Sequence, residues 1–226
     1  MEFNLKAVME RAMKKYTERV VEETTKQLLG KTEEKEYIIQ TERSALTIET
    51  YTNKRLIDQC VEEIRGKVEI RPPIKVFKAT EQPRNVGFFS NESKGYGYSK
   101  QFMAAQPLTA GLTELLADVN RKCGMSTFNG ILVNEYMNGL DKIGAHSDDE
   151  RGVDIIGGVV AISWGATRKF RIKSKSDKKI VATIPTTPYS LIRMSGRFQE
   201  DYTHEIPEEP KITEKRISFT FRTHTH

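Results

Sequence analysis

The stretch Arg216-Ile217-Ser218-Phe219-Thr220-Phe221-Arg222 alternates polar and apolar side chains with a period of two, which is the pattern of a β-strand. Ile217, Phe219 and Phe221 fall on one face, toward a core. Arg216 and Arg222 fall together on the other. Two guanidiniums on the inner wall of a sheet structure need a carboxylate partner, because an uncompensated buried charge is strongly destabilising. A dicarboxylic ligand meets that need; an edge strand with its arginines in water is the alternative reading. Working outward, the same texture predicts strands over 130–136, 159–164, 168–173, 179–184 and 189–194.

The N-terminal half reads differently. Leu5, Val8, Met9, Met13, Tyr16, Val20 and Leu28 recur at helical spacing, with Gly30 as a C-cap, and predict one amphipathic helix over 4–29. Ile38, Ile39, Ala45, Leu46, Ile48 and Thr50 suggest extended segments. Asn53 starts a helix carrying Leu56, Ile57, Cys60, Val61 and Ile64, which Arg71, Pro72 and Pro73 end. A further helix over 110–123 buries Leu112, Leu115, Leu116 and Val119. Between these helices, 76–103 is loop and short strand, and Phe88, Phe89 and Phe102 are expected in the core. Helices early and strands late predict an α+β chain built on a β-sandwich or barrel.

With 226 residues and 37% hydrophobic content, the chain can bury one main domain. Its expected boundaries are 1–36 for a helical extension and 37–226 for the domain. No apolar run approaches the roughly 18 residues that span a bilayer. The opening residues mix acids and bases too thoroughly for a signal or transit peptide, so the expectation is a soluble intracellular protein, cytoplasmic or nuclear, a monomer without membrane association. Cys60 and Cys123 lack disulfide or zinc spacing and are read as buried thiols. The net charge of +5 is compatible with a polyanionic partner without requiring one.

In Gly144-Ala145-His146-Ser147-Asp148-Asp149-Glu150, His146 and Asp148 are two apart, so an extended backbone sends both side chains from one face. His204, far downstream, can add a third ligand from a facing strand. Two histidines and a carboxylate that leave coordination positions open form the facial triad of non-haem iron(II) oxygenases. Alone, an H-x-D pair with one later histidine arises by chance. Asn134 and Tyr136, sharing a face of the preceding strand, could donate hydrogen bonds to the same carboxylates that the arginines require.

Taken together, 128–150 with its N-x-Y ahead of H-x-D-D-E, then Ser163-Trp164-Gly165-Ala166-Thr167-Arg168, His204 and the R-x-S-x-T-F-R finish resemble the AlkB family of nucleic-acid dealkylating dioxygenases. The likeness covers roughly the last hundred residues and extends more loosely back to about Ala45. It implies a double-stranded β-helix, or jelly roll, with N-terminal helices and a nucleotide-recognition lid over about 80–105. It further implies that His146, Asp148 and His204 hold Fe(II), and that Asn134, Tyr136, Arg216 and Arg222 bind 2-oxoglutarate. The family commonly has Asn where Ser218 stands. The implied reaction is oxidative demethylation of 1-methyladenine or 3-methylcytosine in DNA or RNA with O2, releasing formaldehyde, succinate and CO2. An RNA-specific demethylase, a protein or lipid hydroxylase, and a catalytically silent nucleic-acid-binding module remain open alternatives.

On the same resemblance, Tyr96 and Tyr98, with Arg84 at the start of the lid segment, are expected to grip a flipped base, and Glu150 to contact a cationic one. Arg168, Lys173 and Lys175 belong to the most basic stretch, 168–179, and are expected on phosphates. A solvated hairpin tip is the rival reading of its 175–179 end. His224 and His226 are expected to form a frayed tail.

Overall fold

The computed structural model describes residues 35–76, 79–98, 101–124, 127–150, 152–154 and 157–225, together with Met13. The helix expected over 4–29 lies outside the described residues, apart from Met13. In chain order the elements begin with β1 (Glu36–Gln40), β2 (Ser44–Thr50), α1 (Lys54–Glu63), β3 (Pro73–Val76), β4 (Ala79–Glu81) and β5 (Asn85–Phe89). Next come β6 (Gly95–Tyr98), β7 (Gln101–Ala104), α2 (Ala110–Cys123), β8 (Gly130–Tyr136), β9 (Ile143–His146), β10 (Val153–Asp154) and β11 (Val159–Gly165). The chain closes with β12 (Arg168–Ser174), β13 (Ile180–Thr186), β14 (Ser190–Gly196), α3 (Phe198–Asp201), β15 (Tyr202–Ile206) and β16 (Arg216–His224).

Among the described residues, the strands form a large antiparallel sheet in the order β1-β2-β14-β11-β16-β8-β5, with β10 on the far end of β16. A smaller sheet runs β13-β12-β15-β9, and β3–β4 and β6–β7 are separate hairpins. The alternation in β16 explains the layering. Ile217, Phe219 and Phe221 pack under the helices with Leu56, Ile57, Leu112, Leu115 and Val119. On the opposite side, Leu46, Ile192 and Met194 of the large sheet meet Phe170, Ile172, Ile184 and Ile206 of the small one. The arrangement is mainly antiparallel sheet with a few helices, consistent with a jelly roll whose interior lies between the sheets. Burying both faces leaves nearly every β16 residue out of water, which is why its inward polar residues must find partners inside the protein.

Local sequence accounts for the joints. Asn53 and Thr109 cap α1 and α2 by accepting from the backbone amides of Leu56 and Leu112. Gly165 takes φ of 82° between β11 and β12, where a Cβ would strike the Lys215 carbonyl oxygen. Cys60 and Cys123 are buried and free, as expected.

Four expectations need correction. Helix α1 stops at Glu63, well before Arg71. Within the expected lid segment, β5 is the edge of the large sheet and fully buried, because it pairs with β8 over five residues. Phe88 and Phe89 are buried, but Phe102 is 68% exposed, since the β6–β7 hairpin pairs only with itself. His224 is no frayed tail: β16 runs through it, its ring lies 4.7 Å from that of Phe88, and its backbone amide donates to Asn129. No helix among the described residues is long and apolar enough to cross a membrane.

Candidate active site

Strands β9 and β15 pair antiparallel with His146 directly opposite His204, which brings the two rings to 4.3 Å between centroids. Asp148 follows two residues after the end of β9. Nε2 of His146 stands 3.7 Å from Oδ1 of Asp148, and Nε2 of His204 stands 3.5 Å from Oδ2. The potential ligand atoms of all three lie within 4.8 Å of one another. Nδ1 of His146 sits 2.9 Å from the Gly144 carbonyl oxygen, which suits the tautomer that donates from Nδ1 and leaves Nε2 bare.

Electrostatics favour a cation here. Burial, then the nearby His146 ring, pushes the His204 imidazole down to about 3, so it is neutral near pH 7. Its contact with Asp148 is therefore no ion pair at that pH. Burial alone would raise the Asp148 carboxyl, but Arg222 and the two imidazoles outweigh it and hold it below its ordinary value. Oδ2 of Asp148 is buried and has no hydrogen-bond partner. A buried carboxylate oxygen without a partner, beside the His204 imidazole and within reach of that of His146, fits a divalent metal of the kind that accepts mixed nitrogen and oxygen ligands.

The other end of the same cavity is built from cross-strand rows. Arg216 lies opposite Tyr136, and Ser218 lies between Asn134 and Ser163. Arg216 donates to Oγ of Ser163 at 2.9 Å, and its Cζ stands 5.2 Å from the Tyr136 ring. Its Nε and Nη1 have no well-formed hydrogen-bond partner. Burial, opposed by Tyr136 and reinforced by Arg168, draws this guanidinium below its usual value. Asn134 accepts from Nε of Arg84 at 2.6 Å, which places Arg84 inside the cavity.

Arg222 serves the metal end. It ion-pairs with Asp148, and Nη1 reaches Glu150 at 3.4 Å. With six residue steps from Arg216 to Arg222 along an extended strand, their Cα atoms are roughly 20 Å apart. Arg222 meets carboxylates within the chain while still lining the cavity, so the unmatched demand for an outside carboxylate is clearest at Arg216.

One cavity therefore gathers His146, Asp148, His204, Asn134, Tyr136, Arg216, Arg222 and Arg84, with Leu132, Ile143, Ile192 and Ile206 as apolar wall. Glu150 reaches it by contact with Arg222, not by strand continuation, since β9 ends at His146. Tyr96 and Tyr98 alternate along β6. The basic stretch behaves differently from expectation. Arg168 is 1% exposed and donates to the carbonyls of Asn138, Asp141 and Pro207 and to Glu209, so it is an internal brace and not a phosphate contact. Lys173 pairs with Glu205 at 2.8 Å, and Lys175 donates to the Gln199 carbonyl at 2.6 Å and to Asp149 at 3.2 Å. These two lysines are committed within the fold. Gln199, whose side-chain oxygen accepts the Asp148 amide at 2.8 Å, went unread because nothing in a single sequence marks a glutamine on a one-turn helix.

A larger hollow of about 880 Å³ lies on the other face of the large sheet, beside Trp164 and Ile217. Its charged groups pair with one another, as in Lys215–Glu135 and Arg65–Glu62, so size alone does not make it the reactive site.

Replacing Arg168 with Met is expected to lower stability by about 3 to 5 kcal/mol, the usual effect of breaking a buried charged network. Urea denaturation gives the shift in midpoint, and a change within experimental error would contradict the brace role.

A two-histidine, one-carboxylate triad between the sheets of an antiparallel sandwich defines the non-haem iron oxygenase class. Residues 44–222 match the family described as the 2OG-Fe(II) oxygenase superfamily. The human DNA oxidative demethylase ALKBH2 is 29% identical over 177 residues, 73% of this chain and 67% of that protein. Human alpha-ketoglutarate-dependent dioxygenase alkB homolog 3 is 31% identical over 151 residues, 63% of this chain and 52% of that protein. The solved structure of OsALKBH1 superposes with a TM-score of 0.54 at 13% identity, covering 82% of this chain and 99% of that one, a likeness of fold. The chain spans about two thirds of the first relative and about half of the second. It belongs to the AlkB family of the 2OG-Fe(II) oxygenase superfamily. Its cofactors are accordingly Fe(II), 2-oxoglutarate and O2, and its class is dioxygenase.

Proposed function

We propose that this enzyme oxidatively demethylates N-methylated bases, such as 1-methyladenine and 3-methylcytosine, in DNA or RNA. The observation that carries the reading is one cavity with a metal triad at one end and an unsatisfied arginine at the other. Support for the substrate comes from the likeness to a protein named a DNA oxidative demethylase. The overall balance converts methylated base, 2-oxoglutarate and O2 into unmodified base, formaldehyde, succinate and CO2.

Fe(II) with its co-substrates supplies the oxidising chemistry at the methyl carbon. The chain's own residues bind, orient and exclude water. His146, Asp148 and His204 hold the metal. Arg216 receives the distal carboxylate of 2-oxoglutarate through the nitrogens that lack partners, with Tyr136 and Asn134 beside it. Arg222 fixes the orientation of Asp148 and leaves its second oxygen aimed at His204. Leu132, Ile143, Ile192 and Ile206 keep the cavity apolar, so that each polar contact acts in a medium of low dielectric. Glu150, a carboxylate at the metal end, suits a methylated ring that bears positive charge. Tyr96 and Tyr98 fall at alternate positions of β6, and Phe102 on β7, paired with Gly97, is 68% exposed and offers stacking surface for a base. This hairpin is the lid of the proposed 37–226 domain.

Competition between methylated DNA and RNA oligomers of one sequence tests the assignment, with formaldehyde as readout. Release from at least one is expected. Release from neither, while 2-oxoglutarate is still consumed in the presence of a methylated peptide or lipid, would redirect the reading to a hydroxylase.

A further inference from the structure

We infer that Gln199 is a positioning residue for the metal site: it holds the Asp148 loop in register with His204 and thereby sets metal affinity. The inference rests on the reading of His146, Asp148 and His204 as metal ligands.

The three ligands come from two places in the chain, and only β9 and β15 fix the two histidines relative to each other. Asp148 lies beyond the end of β9, where no ladder hydrogen bond can hold it. Its backbone amide is instead bound by Oε1 of Gln199 at 2.8 Å. Gln199 is 2% exposed, and its Nε2 rests 3.6 Å from Sδ of Met194 on the floor of the same cavity. Helix α3, which carries Gln199, leads directly into β15, which carries His204. One short element therefore connects the carboxylate ligand to the strand of the downstream histidine.

Two neighbouring contacts support the same loop. Lys175 bridges the main-chain oxygen of Gln199 and the carboxylate of Asp149. Ser147 donates from Oγ to the Tyr202 carbonyl at 3.0 Å. Each ties a residue flanking Asp148 to the α3–β15 segment, whereas Gln199 grips the ligand residue itself, at its backbone, and Arg222 holds its carboxylate. An acceptor on the Asp148 amide restrains the backbone from which the carboxylate projects. Without it, the amide is left buried without its bond, and the carboxylate gains alternative orientations in which it no longer converges with both imidazoles.

The test uses the whole chain and Mn(II) as probe. Gln199→Met keeps the side-chain volume and removes the acceptor. Mn(II) affinity, measured by the loss of the free-ion magnetic resonance signal, is expected to fall by about tenfold, the lower end of what supporting residues contribute at metal sites. In the metal-free protein, hydrogen exchange at the Asp148 amide is expected to accelerate. Unchanged affinity and unchanged exchange in a folded Gln199→Met protein overturn the inference. If that variant does not fold, Lys175→Met takes its place: faster exchange at residue 148 supports the role, and unaltered exchange overturns it. The wild type and Asp148→Ala serve as controls for the underlying reading. Should they bind Mn(II) equally, the ligand assignment fails, a result separate from equal binding by wild type and Gln199→Met.

Discussion

Asp148→Ala is expected to lose metal binding by more than roughly 100-fold, beyond the range that supporting residues alone contribute, and to bring turnover to background. The carboxylate is the only anionic member of the triad, and its buried Oδ2 faces His204. Its loss also strips Arg222 of a buried partner, which lowers fold stability and adds to the effect. Asp148→Asn separates the two, because it keeps the shape and an oxygen while removing the charge. Metal titration of both variants, with their unfolding midpoints, is the check. If Asp148→Ala binds metal like the wild type, the triad is not the metal site.

Arg216→Met is expected to raise KM for 2-oxoglutarate by about 2 to 4 kcal/mol, or roughly 30- to 1,000-fold, with metal binding intact. The physical basis is an asymmetry. A guanidinium 3% exposed, bonded to Ser163 but with Nε and Nη1 unpaired, penalises the empty protein and is compensated when a carboxylate arrives. The same variant should therefore be more stable than wild type in the absence of co-substrate. It should also show little of the rise in melting temperature that 2-oxoglutarate gives the wild type. Thermal unfolding with and without 2-oxoglutarate reads both signs. A variant less stable than wild type without ligand, yet still stabilised by it, would place the carboxylate elsewhere.

The contrast between the two arginines shows what a linear pattern conveys. Alternation along 216–222 puts both on one face because side-chain direction in a strand depends only on parity. Their different partners depend on what crosses from β9 and β11, and that is tertiary information. Strands such as Gly130–Tyr136 and helices such as Ala110–Cys123 were legible because their caps and periodicity are local. Arg168 looked like its basic neighbours, yet the loops at 138–141 and 207–209 close over it. Phe102 resembled Phe88 and Phe89 in composition, but it stands on the outer face of β7, whose other face carries Met103 against Val86, Phe88 and Leu132. His224 looked terminal, although β10 and Asn129 extend the pairing to it. In each case the residue type was informative and the partner was not, since partners are supplied by segments distant in the chain.

The difference also revises the interface expected for nucleic acid. Lys173 and Lys175 are engaged by Glu205, Asp149 and the Gln199 carbonyl, so the formal charge of 168–179 overstates what it can offer to phosphates. Under the proposed function, the exposed Phe102 on β7 is more accessible to a nucleic acid than these paired lysines.

The most direct test of the account is the intact mass of an oligonucleotide carrying a single 3-methylcytosine after incubation with the enzyme, Fe(II), 2-oxoglutarate and O2. A loss of one CH2 unit is expected, requiring 2-oxoglutarate and absent with Asp148→Ala. An unchanged mass in both DNA and RNA oligomers, under conditions where the wild type converts 2-oxoglutarate to succinate, would contradict it.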